Sequence, residues 1–499
     1  MNNLLLGIDI GTSACKVAVF NEDGHVLAST NRPYEVYYPA SGWVEQDADE
    51  WWNAICLAVR DVLDIPGIEA QDIRCIGIDG QSWSAIPVDR AGNVLARTPI
   101  WMDTRARDIC QRYKASLGED TIFNIAGNDF LPSYSTPKII WFRENYPEVY
   151  SKTYKFLQSN SYIAYKLTGV FSQDKSQLYG IHFYDLHKMA YDEDLAKDLG
   201  IDTDFIPDIY DCDTIIGYVS SEASEITGLL KGTPVVAGGL DAACGTLGAG
   251  VYKPGQTQEQ GGQAGGMSIC TPDALADKKL ILSPHVIPGL YLLQGGTVGG
   301  GGVLKWFRSQ LASDMTFDEI TVEAENIPAG AEGVVFLPYM AGERSPIWDP
   351  DAKGVFYGLG YDKTRGHMIR AVLEGEAYSL QHNLEVAADA GAEVEVLNAM
   401  GGSSNSLLWT QIKADVTGKR IVVPTSDTAT TLGAAILAGI GCGLYGSYEE
   451  AVNRTIVITR THEPDMEKHE KYMQYMKLYL QLYDDLKGTF ASFSNISNI

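Results

Sequence analysis

No C-x-x-C pair occurs among the eight cysteines of this sequence, which are scattered at Cys15, Cys56, Cys75, Cys110, Cys212, Cys244, Cys270 and Cys442. Neither a zinc knuckle nor a disulfide framework is expected, and the thiols read as small buried residues of a reducing cytoplasm. Basic residues are also scarce: 38 Lys and Arg stand against 64 Asp and Glu, a formal net charge of −26, and no Lys/Arg cluster offsets it locally. Such a surface repels phosphate backbones and anionic headgroups, so neither nucleic acid nor a membrane is expected as a partner. Uninterrupted apolar runs of about 18 residues are lacking, which argues against a membrane span. Met1-Asn2-Asn3 leads into an apolar stretch without a basic segment before it, so export is not expected.

What is present fits a globular chain with more than one core. At 499 residues, 45% apolar and 20% charged, it is too long for one ordinary domain, and two lobes are expected, residues 1–245 and 246–499. Apolar runs at 4–10 and 17–20, then turn residues Asn21-Glu22-Asp23-Gly24 and a third run at 25–30, predict an opening β-meander. Its first turn holds Gly11, Thr12 and Ser13. Helical spacing over 51–63, then strands at 72–79 and 86–89, place the chain in the α/β class. Residues 234–237 read as a short strand, and the small, glycine-rich run 242–250 after it as the hinge between lobes. Three glycine-dense loops follow, at 261–266, 295–302 and 401–404. Near the end, Tyr472, Met476, Tyr479, Tyr483 and Leu486 form one apolar stripe of a packing helix, and beyond Gly488 a polar, frayed tail is expected.

The chemistry should sit where carboxylates end strands. In Gly7-Ile8-Asp9-Ile10-Gly11-Thr12-Ser13 an acid precedes a turn free of bulky side chains, so backbone N–H groups can meet phosphate oxygens, a hydroxyl adds a donor, and the acid holds Mg²⁺. Alone this could be a plain hairpin. Asp241 repeats the pattern after Val235-Val236-Ala237-Gly238-Gly239-Leu240, and two such acids can divide the work of phosphoryl transfer, one organising metal and one taking a proton. By itself Asp241 could equally be a helix N-cap. A strand into Gly401-Gly402-Ser403-Ser404-Asn405 and then a helix suits a flat ring or an anion, although G-G-S is also ordinary loop chemistry.

Two longer segments make these residues more specific. Ser133-Tyr134-Ser135-Thr136-Pro137-Lys138-Ile139-Ile140-Trp141-Phe142-Arg143-Glu144-Asn145, and Gly354-Val355-Phe356-Tyr357-Gly358-Leu359 with His367-Met368 and Ala371-Val372-Leu373-Glu374, resemble the two signatures of the FGGY carbohydrate kinases. The resemblance runs over roughly residues 4–445. It implies a two-lobed, actin-like (ribonuclease H-like) ATPase fold, with ATP, Mg²⁺ and a small sugar between the lobes, and sugar held mainly by the first. It further implies Asp241 as catalytic base, Asp9 as metal carboxylate, and Gly11, Thr12 and Ser13 as phosphate turn. Gly261, Gly262, Gln263, Gly301, Gly302, Gly401, Gly402 and Asn405 become nucleotide contacts. Trp101, Asp103 and Arg105 resemble the family's W-x-D-x-R segment near the sugar; without the resemblance, Asp103 and Arg105 read as a surface ion pair. Gly342-Glu343-Arg344-Ser345-Pro346 is similar to a xylulokinase segment, which points to a pentulose such as xylulose. A homodimer is compatible with the sequence.

Two departures qualify this. Gly80-Gln81-Ser82-Trp83-Ser84 stands where xylulokinases usually have Gly-Gln-Met-His-Gly, so an indole replaces an imidazole among the expected sugar contacts Gln81, Ser82 and Trp83. A core position for Trp83 is the competing reading. Glycerol kinases carry an Arg-Glu pair here, so glycerol is not expected. Gly261-Gly262-Gln263-Ala264 replaces the common Gly-Thr-Ser-Gly and removes a hydroxyl from the phosphate loop. Other ketoses, polyols or aldonates such as gluconate remain the alternative substrates, and a sugar-sensing module without catalysis the alternative function.

Overall fold

The computed structural model describes residues 3–425 and 428–497. Two seven-stranded sheets organise it, one from each half of the chain. The first is built on β1 (Leu4–Ile10), β2 (Ala14–Phe20) and β3 (Val26–Pro33), an antiparallel meander as expected. Helix α1 (Ala48–Leu63) packs on it through Trp51, Ile55, Val59 and Val62, spaced for one helical face. Next to β1, in parallel, runs β4 (Ile73–Gly80). Helix α2 (Ser135–Asn145) crosses the same lobe with its first eight residues buried. Strands β5 (Ile215–Tyr218), β6 (Pro234–Val236) and β7 (Gly239–Leu240) complete an order β5-β6-β4-β1-β2-β3, with β7 also on β4.

After β7 the chain enters α3 (Asp241–Gly248) without a break. The second sheet is β8 (Gly255–Gly261), β9 (Gly265–Thr271), β10 (Ile281–Pro284), β11 (Tyr291–Thr297), β12 (Val394–Met400), β13 (Arg420–Pro424) and β14 (Ile458–His462), in the order β10-β11-β9-β8-β12-β13-β14. Helices α4 (Gly301–Leu311), α5 (Arg365–Asp389) and α6 (Leu407–Thr417) surround it, then α7 (Ala429–Gly441) and α8 (Met466–Ser497). Five central strands repeat one order, β6-β4-β1-β2-β3 in the first sheet and β13-β12-β8-β9-β11 in the second. The edges differ: β5 precedes β6 in the chain, β14 follows β13, and β10 has no counterpart.

Residues 242–250, read from sequence as the hinge between lobes, are largely helical: residues 241–248 form α3, which packs on α7. Their small size serves closeness, since a Cβ added to Gly248 or Gly433 would fall 1.9 Å from the carbonyl oxygens of Ala429 or Cys244. Helix α7 lies equally tight on the first sheet, where a Cβ on Gly7 or Gly77 would meet the carbonyls of Thr431 and Ala434 at 2.2 and 1.8 Å. The tail beyond Gly488 is not frayed but continues α8, anchored by buried Phe490. Tyr472, Met476 and Tyr479 are buried as the stripe predicts.

Candidate active site

Between the lobes lies a cleft of about 3340 Å³ including its open mouth. Its floor on the first lobe is set by strand register: Asp9 on β1 pairs with Asp79 on β4, and Asp79 with Gly239 on β7, two residues before Asp241. Three carboxylates thus converge from three segments. Asp79 is fully buried and neither oxygen meets a donor among the described residues. Burial, and then the neighbouring charge of Asp9, raise its pKa well above the carboxylate range. Asp9 is raised mainly by burial; the Thr430 hydroxyl at the start of α7 donates to it at 3.0 Å and offsets part of that. Asp241 is half-buried and lines the cleft. Withdrawal from water, followed by the charge of Asp9, lifts it to about 7, the range suited to a general base. It opens α3 as that helix's first residue, not as its N-cap, which is Leu240.

Around the acids the walls differ. On the first lobe, Trp83 stands between Tyr134 and Tyr179, ring centroids 4.2 and 5.3 Å away, and Tyr179 Oη donates to Ser82 Oγ at 2.9 Å. Trp83 is 7% exposed, a core residue that also borders the cleft; its Nε1–H has no partner among the described residues. Trp101 Nε1 donates to Thr12 Oγ1 at 3.0 Å, joining the aromatic wall to the β1–β2 turn. The β1–β2 turn is further held by Tyr34 Oη on the Gly11 carbonyl and by Gln46 Nε2 on that of Thr12.

On the second lobe the lining includes Gly262, Gln263, Gly401, Gly402 and Asn405, with Arg344 from the Glu343-Arg344 segment. Beneath it, Lys413 donates to Glu259 at 2.5 Å and to Ser403 Oγ at 2.9 Å, bracing the β8–β9 turn against the Gly401 loop. Glu343 accepts from the Val298 and Arg344 amides, both at 2.7 Å, and burial raises it to about 7.

Of the residues expected from sequence, Thr12, Ser82, Trp83, Trp101, Asp241, Gly262, Gln263, Gly401, Gly402 and Asn405 line this cleft. The others stand behind it. Gly11 and Ser13 flank Thr12 in its turn, and Asp9 lies beneath. Gln81 is buried and donates to Gln46. Asp103 and Arg105 are neither in the lining nor a surface pair: the fully buried Asp103 holds Arg105 and the Val44 amide, while the guanidinium also pairs with Glu45 at 2.8 Å and stacks on Trp43 and Trp141. They fix the loop that carries Trp101. Gly301 and Gly302 give their amides to the carbonyls of Gly262 and Gln263 at 2.8 and 3.0 Å, so the second turn sits on the start of α4; Gly261 borders the small enclosed space underneath. Sequence reading missed Asp79, although Ile78-Asp79-Gly80 ends its strand much as Asp9 does. It also missed Tyr179 and Thr430, which carry no local signal.

Comparison with known proteins agrees with this geometry. The model of the FGGY family of carbohydrate kinases, N-terminal domain, matches residues 4–248, and that of the C-terminal domain residues 265–442. The chain belongs to the FGGY family of carbohydrate kinases. Among relatives of this family, the xylulose kinase of Bacillus subtilis strain 168 is 30% identical over 485 residues, 97% of each chain. The gluconokinase of Bacillus licheniformis is 28% identical, covering 99% of this chain and 98% of its own. Of solved structures, the ligand-bound xylulose kinase from Lactobacillus acidophilus superposes with a TM-score of 0.89 at 25% identity, covering 98% and 99% of the two chains. The gluconate kinase from the same organism gives 0.91 at 25% identity over 99% and 100%. The fold is thus the two-lobed α/β fold of these kinases, and the chain is a sugar kinase that draws its phosphoryl group from ATP. No helix among the described residues is long and apolar enough to cross a membrane.

Proposed function

We propose that this kinase phosphorylates a pentulose such as xylulose at a terminal hydroxyl. The observation that carries the reading is Asp241: a cleft-lining carboxylate at about 7, between an aromatic wall suited to a sugar ring or chain and glycine turns suited to phosphates. In this reading the sugar lies against Ser82, Trp83 and Trp101, and ATP against Gly262, Gln263, Gly401, Gly402 and Asn405. Asp241 accepts the proton of the attacking hydroxyl as its oxygen bonds to the γ-phosphorus, and ADP leaves. Closure of residues 246–499 on residues 1–245 keeps water from competing for the phosphoryl group. Asp103 and Arg105 act on the sugar through the Trp101 loop. Asp79 shares a hydrogen bond with Asp9, and this buried pair of acids suits a cation. Asp9 would hold that ion, which neutralises phosphate charge.

A coupled ADP-release screen over pentuloses, hexuloses, polyols and aldonates tests the substrate. A pentulose with the highest kcat/KM is the expected result; an aldonate at the top would replace it, and ADP release that no sugar stimulates would remove the kinase reading altogether.

A further inference from the structure

Helix α2 sends no side chain into the cleft lining, yet its first turn is bonded to every segment of the aromatic wall. Ser135 Oγ donates to the Ser84 carbonyl at 3.1 Å. Thr136 Oγ1 donates to the Gly180 carbonyl at 3.3 Å and accepts from the His182 amide at 2.8 Å. Lys138 Nζ donates to the carbonyls of Trp83 at 2.9 Å and Ile100 at 2.8 Å. All three side chains are buried, and Lys138 is fully so.

A lysine in that position is hard to explain by packing. Removing an ammonium from water is costly unless paired, and no carboxylate bonds this one among the described residues; burial lowers it to about 7. What it does instead is tie together two chain segments, each ending in a tryptophan that faces the cleft, since Ile100 precedes Trp101. One of them is under backbone strain. Trp83 has φ +58°, the left-handed region that a bulky L-residue rarely adopts. The tie acts on the carbonyl of that very residue. Gly180, bonded by Thr136, leaves the room the indole needs: a Cβ there would stand 2.7 Å from Trp83 Cδ1.

We infer that Lys138, aided by Ser135 and Thr136, is the positioning residue that sets sugar specificity, by holding Trp83 in its left-handed conformation and at a fixed offset from Trp101. This rests on the sugar lying against those two tryptophans. Lys138 touches no substrate itself, so its effect must pass through them, and ATP binding at the other lobe should be spared.

The experiment is a double-mutant cycle in the full-length enzyme with Lys138→Met and Trp83→Ala, assayed across the sugar panel with the ATP KM and Tm recorded. Lys138→Met is expected to raise the KM of the best sugar about tenfold or more and reorder the panel, with the ATP KM within about twofold. In the Trp83→Ala background the same change should cost less than about threefold, because residues that act through one another are not additive. Lys138→Arg, which keeps two donors, should recover part of the loss. Equal losses in both backgrounds, or sugar and ATP KM rising together, would overturn the inference. If Lys138→Met does not fold, Ser135→Ala takes its place: a sugar-only KM increase of roughly two- to fivefold supports the tie, and an unchanged panel overturns it. The cycle also separates this inference from the substrate assignment, since coupling between Lys138 and Trp83 can be present whichever sugar ranks first.

Discussion

The central strands of the two lobes repeat one order, and the first turn of each, residues 11–13 and residues 262–264, occupies the same topological place facing the same cleft. If both meet phosphate, as proposed, they do so differently. The first turn works with side chains: the Thr12 hydroxyl is aimed by Trp101, and Asp9 below it by Thr430. The second offers backbone and Gln263, has no hydroxyl, and is propped from beneath by Lys413 and Glu259. A repeated framework therefore supplies two cleft-facing corners, and in the proposed reading only the first can organise phosphate charge with side chains.

The sharpest way to break this contrast is at the acid between the corners. Asp241→Asn should lower kcat by about 10²- to 10⁴-fold while ATP still binds in equilibrium titration; near-normal turnover would take the base role from Asp241. In the unmodified enzyme, a base held up at about 7 must be ionised to act, so kcat/KM should rise about tenfold per pH unit up to that value and level off above it. A profile flat between pH 5.5 and 8, on the order of the window around that value, would count against it. Thr12→Ala strips the first corner of its hydroxyl and should reduce kcat/KM for ATP by about 10- to 100-fold, the scale of one hydrogen bond to a charged group; a loss below twofold would make the corners equivalent. Trp83→His trades an indole for a second ring nitrogen, and should change relative kcat/KM among sugars by about 10-fold at unchanged ATP KM. A lower Tm with an unaltered ranking would leave Trp83 a core residue alone. The mildest test adds what the second corner lacks. Gly262→Thr has room, since its Cβ would meet only the Ala264 carbonyl at 3.6 Å, and one new neutral donor should lower the ATP KM by roughly three- to tenfold.

Much of the second corner was legible in the sequence, because glycine doublets signal locally: Gly401-Gly402 follows β12 as the spacing suggests. The β1–β2 turn and Asp241 were legible for the same reason, an acid and glycine at a strand end. The aromatic wall was not. Trp83, Tyr134 and Tyr179 are separated by some 50 residues each, and nothing in one segment reports that folding will stack them. Asp103 and Arg105 were expected in the cleft because they share a segment with Trp101, but the chain turns there, with the Asp103 amide on the Ile100 carbonyl, and the ion pair went inward with Glu45. The helix at the expected hinge was not legible from composition: Ala242-Ala243-Cys244-Gly245 suits a close helix contact as well as a link, and the helix it packs on, α7, comes almost 200 residues later.

That late arrival bears on synthesis. Helix α7 is laid on Gly7, Gly77 and Gly248 with backbone against backbone, so the first sheet keeps one face uncovered while everything between residues 80 and 429 is being translated. A nascent chain would expose a glycine-floored trough beside Leu5 and Cys75 until α7 leaves the ribosome, and a fragment ending at residue 245 would keep it for good. The lobe that begins the protein is thus finished by one of its last helices, and expressing residues 1–245 alone should yield a chain that binds chaperones or aggregates until a peptide spanning residues 429–441 is supplied.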